Sequence, residues 1–459
     1  MKSILRSSLF IFGLLFISKY SFAQQYTITD FYKVDSIANQ AKPKDALALI
    51  EKINTQARAE GNSAMLIKSV IYRMMFQSYL EENSFDKILI DLRKDISLAK
   101  QPEKSILQSL LAETYWKFYQ QNQWKIAQRT NVQGDIGDDI NTWSTGKLIE
   151  ETTKTYLASL SEIELLKNTK TDFLNHVLAG DKSSRIYRPT LYDLLAHRAI
   201  DVFTNTQITL TQEENDQINF NDPIWFAERK VFLNSPLPKI DSTSFYITAL
   251  QIFKNLIEFH TYNDNKSAVA DADFRRLKFI ALRNTVKSVY FNALQLLANK
   301  STETEVYADI LFEQATLYRN GQMPTDTAKQ NLVKTIELAN KAIKAYPKSI
   351  GAKNSENLIN QIKNPELTTQ TKQIITANQP AQLYLAYKNV DTIYFKLFKR
   401  PIEERLDYKL NDQKNLFSFL EKNKQTRAWF AIVPKSTDYQ LHTLITKIDG
   451  LPYGNYLLI

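Results

Sequence analysis

Cysteine is absent from all 459 residues. Its absence removes disulfides, thiol nucleophiles, thiolate metal sites and any thioester from this stretch. It also removes the lipid-bearing cysteine of a lipoprotein. Histidine is nearly absent, with His176, His197, His260 and His442 scattered along the chain. Glycine (10) and proline (13) are scarce beside 23 tyrosines and 25 phenylalanines. That balance suits long helices packed through aromatic side chains and excludes a fibrous or disordered chain. No G-x-S-x-G, P-loop, dinucleotide-binding glycine pattern or H-E-x-x-H occurs. Carboxylates are plentiful, but no spacing singles out an acid/base pair. The sequence therefore points away from an enzyme, and names no catalytic residue, no cofactor and no metal ligand set.

What is present is globular in composition, 44% hydrophobic and 23% charged. At roughly 150 residues per domain the length supplies two to four domains. The formal charge is +9, of which Lys2, Arg6 and Lys19 belong to a segment expected to be removed. The remaining basic residues are interspersed with acidic ones, and the densest basic spots are as brief as Arg275-Arg276. Nucleic-acid binding asks for a basic stripe or an aromatic-lined groove. A solvated mixed surface fits better, and no nucleic-acid partner is expected.

Residues 1–23 have the form of a signal peptide. Lys2 and Arg6 precede the apolar run Leu9–Ile17, and Ser21-Phe-Ala23 supplies small residues where a signal peptidase reads. Cleavage is expected after Ala23, and the run is short for a transmembrane helix. The mature chain is expected to be exported, to the periplasm, the outer-membrane surface or the medium, with no stable membrane span.

Residues 24–363 read as a helical array. Ala46, Ile50, Ile53 and Ala57 form one apolar face behind Pro43, and Gly61-Asn62 separates it from a helix carrying Ile67, Ile71, Met74 and Met75. Further helices are expected over Phe85–Leu98, from Pro102 through Tyr115, over Lys147–Leu166 and over Thr171–Leu178. Residues 124–144 and 206–222 read as internal loops. The aspartates of the first lack the D-x-D-x-D-G pattern of a calcium loop. After Arg188-Pro189 another helix begins, on which Asp193, His197 and Asp201 recur every four residues and share a face. Such a row can ligate a metal or orient a proton shuttle, but no second histidine or acidic motif nearby completes a coordination set, and i,i+4 pairing with helix neighbours accounts for it better. Phe245, Ala249, Ile252 and Leu256 predict one further helix face, and Phe279, Leu282, Val286, Val289 and Ala293 the next. Leu332, Ile336, Ala339, Ile343 and Tyr346 keep helical spacing, and Ala342 precedes Pro347 as in tetratricopeptide units. The array is thus of helical-hairpin type, a degenerate tetratricopeptide-like repeat, capped by Lys348–Ile362.

Residues 364–459 switch to the period-2 pattern of strands. Leu383, Leu385 and Tyr387 alternate with Tyr384, Ala386 and Lys388, and the runs Ile393–Phe398 and Trp429–Val433 are rich in β-formers. Gly450-Leu-Pro-Tyr-Gly-Asn-Tyr456 then turns into a last strand that runs to Ile459. An apolar strand end makes a poor terminus, so the expectation is a chain that forms the front part of something longer.

Several phrases resemble the N-terminal region of bacterial alpha-2-macroglobulin-like proteins. These are Phe31–Ser36 with Pro43–Leu47, Leu110–Trp116 before Tyr119–Asn122, Ile140–Trp143, Glu150–Thr153 and Arg188–His197. Leu451-Pro-Tyr-Gly-Asn-Tyr456 is similar to the closing-strand phrase L-P-x-G-x-Y of a macroglobulin sandwich. The resemblance implies a C-terminal all-β macroglobulin-like sandwich after the mainly α array. It also implies protein partners, proteases among them, engaged through regions beyond this chain. The family's bait region and C-x-E-Q thioester have no counterpart here, so no inhibitory site maps onto these residues. The competing expectation is a periplasmic helical-repeat binding module for glycan or peptide ligands.

Overall fold

The computed structural model describes residues 25–80, 84–128, 137–179, 185–205, 218–238, 244–323, 328–400, 412–434 and 437–459. The expected leader, the middle of the 124–144 loop and most of the 206–222 loop lie outside them. Among the described residues the fold is mainly helical with a C-terminal antiparallel sheet region, and no helix is long and apolar enough to cross a membrane. These residues divide into two compact units, one ending at Val202 and one starting at Phe203.

In the first unit α1 (Asp30–Asn39), α2 (Pro43–Glu60), α3 (Ser63–Leu80), α4 (Ser84–Leu98) and α5 (Glu103–Ala127) follow one another through short joints. Pro43 starts α2, where a missing N–H leaves nothing unpaired, and Gly61 ends it in a left-handed conformation at φ 64°. Ala46, Ile50, Ile53 and Ala57 are all buried, each branched side chain contributing roughly 1.5–3 kcal/mol. The face expected on α3 is rotated. Ile71 and Met75 are exposed, whereas Val70, Arg73, Phe76 and Gln77 are buried. The cause is a buried charge cluster: Asp95 of α4 holds Arg58 of α2 and Arg73 of α3 by ion pairs, so polar side chains occupy positions that hydropathy assigns to solvent. Helix α5 runs on to Ala127, into the expected loop, and a 3₁₀ turn follows at Ile140–Thr142. The single helix expected over 147–166 is two, α6 (Thr145–Ser159) and α7 (Ile163–Asn168). The one expected at 171–178 is a 3₁₀ turn, Thr171–Leu174. Helix α8 (Leu191–Phe203) supplies the last residues of the unit, up to Val202.

The described residues of the second unit after α8 include a 3₁₀ turn at Pro223–Phe226 and α9 (Arg229–Asn234). Next come α10 (Phe245–Tyr262), α11 (Lys266–Ala281) and α12 (Lys287–Lys300). The predicted α10 face is buried, but the predicted row from Phe279 to Ala293 is not one helix. Leu282 and Val286 are exposed, and the chain breaks between them. Buried Asn284 accounts for the break: its amide donates to Phe220 O at 2.9 Å and its carbonyl accepts from Val286 N–H at 2.7 Å, replacing the helical bonds. Helices α13 (Val306–Arg319), α14 (Ala328–Ala345) and α15 (Ile350–Lys363) pack through Ala315, Ile336, Ala339, Leu358, Ile359 and Ile362.

Strands begin immediately after α15. One sheet has the order β1 (Glu366–Thr371), β2 (Ala381–Lys388), β5 (His442–Ile448), and the other β4 (Arg427–Ile432), β3 (Thr392–Arg400), β6 (Asn455–Leu458), every pairing antiparallel. Leu383, Leu385 and Tyr387 point inward in alternation, as predicted, and join Ile448 from their own sheet with Ile393, Phe395 and Val433 in one apolar cluster. Strand β5 and the helix α16 (Gln413–Lys422) between β3 and β4 were absent from the sequence expectation.

Candidate functional site

The helical part of the second unit holds a cavity of about 420 Å³ beside a buried arginine. Asp222 sets the wall: its carboxylate accepts from Ile224 N–H at 2.9 Å, and Pro223 enters the first helical position. The Trp225 indole donates to Asn219 O at 3.0 Å. Beneath this turn lies Arg276, only 1% exposed. Its guanidinium donates to Trp225 O at 2.5 Å and Ala227 O at 3.1 Å, and pairs with Asp273 at 2.7 Å. It also sits 4.2 Å from the Phe232 ring centroid. A buried guanidinium persists because its donors meet fixed acceptors. The outcome is a turn at 225–228 clamped onto α11. In the sequence Arg275-Arg276 read as a brief basic surface spot, but Asp273, three residues earlier, takes Arg276 inward. That i,i+3 carboxylate was the available signal.

The cavity opens between this turn, the end of α10, α11 and the end of α12. Its floor is apolar, with Leu277 and Leu297, and its rim is charged. Glu228 pairs with Lys300, and Lys266 with Glu303 at 2.7 Å. The hydrogen bond from Lys300 holds the Glu228 carboxyl below its usual range. The Lys266–Glu303 bond likewise lowers Glu303 and raises Lys266. Both rim pairs lie in solvent, so they fix geometry more than they add stability.

The Asp193, His197 and Asp201 row does lie on one helix, α8, but its members face different surroundings. Asp193 is buried and caps the helix start, accepting from Thr190 N–H at 2.9 Å and Thr190 Oγ1 at 2.7 Å. His197 is buried, and Asp201 is exposed. Among the described residues no group of three or more His, Cys, Asp or Glu could hold a metal ion. His260 lines the helical cavity, and His442 contacts Asp438 at 2.9 Å.

A second cavity, about 800 Å³, lies in the β region against the phrase Leu451–Tyr456. Asn378 N–H donates to Leu451 O at 2.8 Å, and a Cβ on Gly450 would lie 2.5 Å from Asn378 O, so only glycine admits this approach. The Tyr456 hydroxyl donates to Pro452 O at 3.1 Å, folding the phrase back on itself as it enters β6.

No protein-family model matches the chain, and no curated protein matches it.

Proposed function

We propose that this chain is an exported structural and interaction segment of an alpha-2-macroglobulin-like protein, with the β region as a macroglobulin-like sandwich and the helices as its base. The observation that carries the reading is the Leu451–Tyr456 turn. It leads into β6, which adds to a sheet whose β3 shares an apolar core with the other sheet. That is where a closing-strand phrase belongs in two packed sheets. On this reading the chain has no catalytic role, and proteases are engaged by other parts of the protein. The test is to incubate the complete gene product with a panel of endopeptidases. Entrapment, or a change in compactness by small-angle scattering after limited cleavage, is expected. A product that neither retains a protease nor changes its radius of gyration overturns the reading.

The cavity against the Arg276-clamped turn favours a second reading, a helical module that binds a small ligand in the exported compartment. It concerns other residues and stands or falls separately.

A further inference from the structure

The charges lining the helical cavity can be paired off almost completely. Lys300 meets Glu228, Lys266 meets Glu303 at 2.7 Å, and Arg276 meets Asp273 at 2.7 Å. Two lining charges are left over, one of each sign. Arg229, half-buried at the start of α9, and Asp264, in the turn between α10 and α11, make no side-chain hydrogen bond or ion pair among the described residues. Arg229 adds its field to Glu228, and Asp264 adds its field to Lys266.

An unpaired guanidinium presents a planar fork that fits a carboxylate. An unpaired carboxylate in the lining of the same cavity accepts from an ammonium group. The apolar part of the same lining includes Leu296, 53% exposed, with buried Leu277 and Leu297. A volume of about 420 Å³ falls within the roughly 300–1,000 Å³ of small-molecule sites. A glycan would ask for an aromatic platform. The lining rings among the described residues, Phe226 and His260, are 5% and 2% exposed, too covered to offer a face. A polyanion would meet Glu228, Asp273 and Glu303 as well as the cations. We infer that the cavity binds a short apolar peptide with both ends free, its carboxylate on Arg229, its ammonium on Asp264 and its side chains against Leu296. This rests on the binding-module reading and is independent of the macroglobulin reading.

The experiment is calorimetric titration of the full chain with alanyl-leucine, its N-acetyl form and its C-terminal amide. The free dipeptide should bind with a Kd of about 1 mM or tighter. Blocking either end should weaken it about tenfold, the effect of losing one charge-assisted contact. Arg229→Gln should erase the preference for the free carboxylate and keep that for the free amine, and Asp264→Asn should do the reverse. Neither side chain makes a hydrogen bond or ion pair among the described residues, and their fields on Glu228 and Lys266 act at exposed groups, so thermal unfolding should stay close to the parent's. Three results overturn the site: no heat from the free dipeptide at tens of millimolar, equal binding of the blocked forms, or variants that keep both preferences. Binding of a glycan or longer peptide that both variants leave unchanged would keep the module and overturn this site.

Discussion

Asp95 is the residue on which three helices of the first unit converge. Its carboxylate faces Arg58 and Arg73, and it is 4% exposed. Removing one member of a buried ionic cluster leaves the others charged and unsolvated. Asp95→Ala should therefore cost about 3–5 kcal/mol of stability, read as a lowered urea midpoint. A loss under about 1 kcal/mol would mean that water reaches the arginines. Asp309 in α13 behaves oppositely. Burial, with repulsion from Asp271 and Glu305 and opposed by Lys278, pushes its carboxyl up to about 6 from 3.8. A raised acid binds its proton more tightly folded than unfolded, so stability is greatest below 3.8, falls as pH climbs to about 6, and is then constant. Allowing for partial exposure, the loss is about 2 kcal/mol. Asp309→Asn should remove it, so the variant's advantage in Tm should grow between about pH 4 and pH 6.5. Parallel curves for the two proteins would refute the assignment.

Among the elements, the approach of α15 to α13 depends on one glycine. A Cβ on Gly351 would lie 2.4 Å from Ala308 C and Asp309 N, both backbone atoms. Alanine favours a helix by about 1 kcal/mol over glycine, yet here the helices would have to separate. Gly351→Ala should destabilise by about 1–3 kcal/mol, the usual range for overpacking, and a raised Tm would show that the contact is slack. Elements of this kind also show what sequence can reveal. The faces of α2 and α10 and the alternation of β2 were readable because one run of apolar residues meets one core. The face of α3 was not, because Arg73 and Gln77 are buried by partners distant in sequence. The break at Asn284 was hidden for the same reason, since it answers to Phe220 O, 64 residues away. Helix α16 escaped notice although Asp412 caps it locally, accepting from Asn415 N–H at 3.2 Å. Leu416, Phe419 and Leu420 do keep helical spacing, but the β-rich runs on either side drew the whole stretch to a strand reading, and none of the three is fully buried. The cavity was invisible because its charges come from four separate stretches, whereas the histidine row was visible but built only from helix spacing.

At the scale of the whole molecule, exposure predicts where proteases enter. Residues 372–380, between β1 and β2, are all exposed, and β1 is covered on neither face. Brief trypsin treatment should cut after Lys372 before it cuts within α10 or α13, with fragment masses as the readout. Early cleavage inside α10 would contradict its buried face. Thr285 and Val286, in the break between α11 and α12, are partly or fully exposed, so a protease that accepts valine should nick there, which a continuous helix would forbid.

The Arg276 clamp also imposes an order of events. Its guanidinium holds Trp225 O from 51 positions further along the chain. Closing a loop of that size costs about 3.5 kcal/mol of chain entropy. The 225–228 turn can thus be locked only after α11 has emerged and coiled. A chain that emerges N-terminus first leaves Trp225 open to water for the whole of that interval. Its indole then becomes a clock once the other four tryptophans are subtracted: the refolding phase in tryptophan emission that Trp225→Phe removes should be slowed by Arg276→Met and left alone by Arg58→Met.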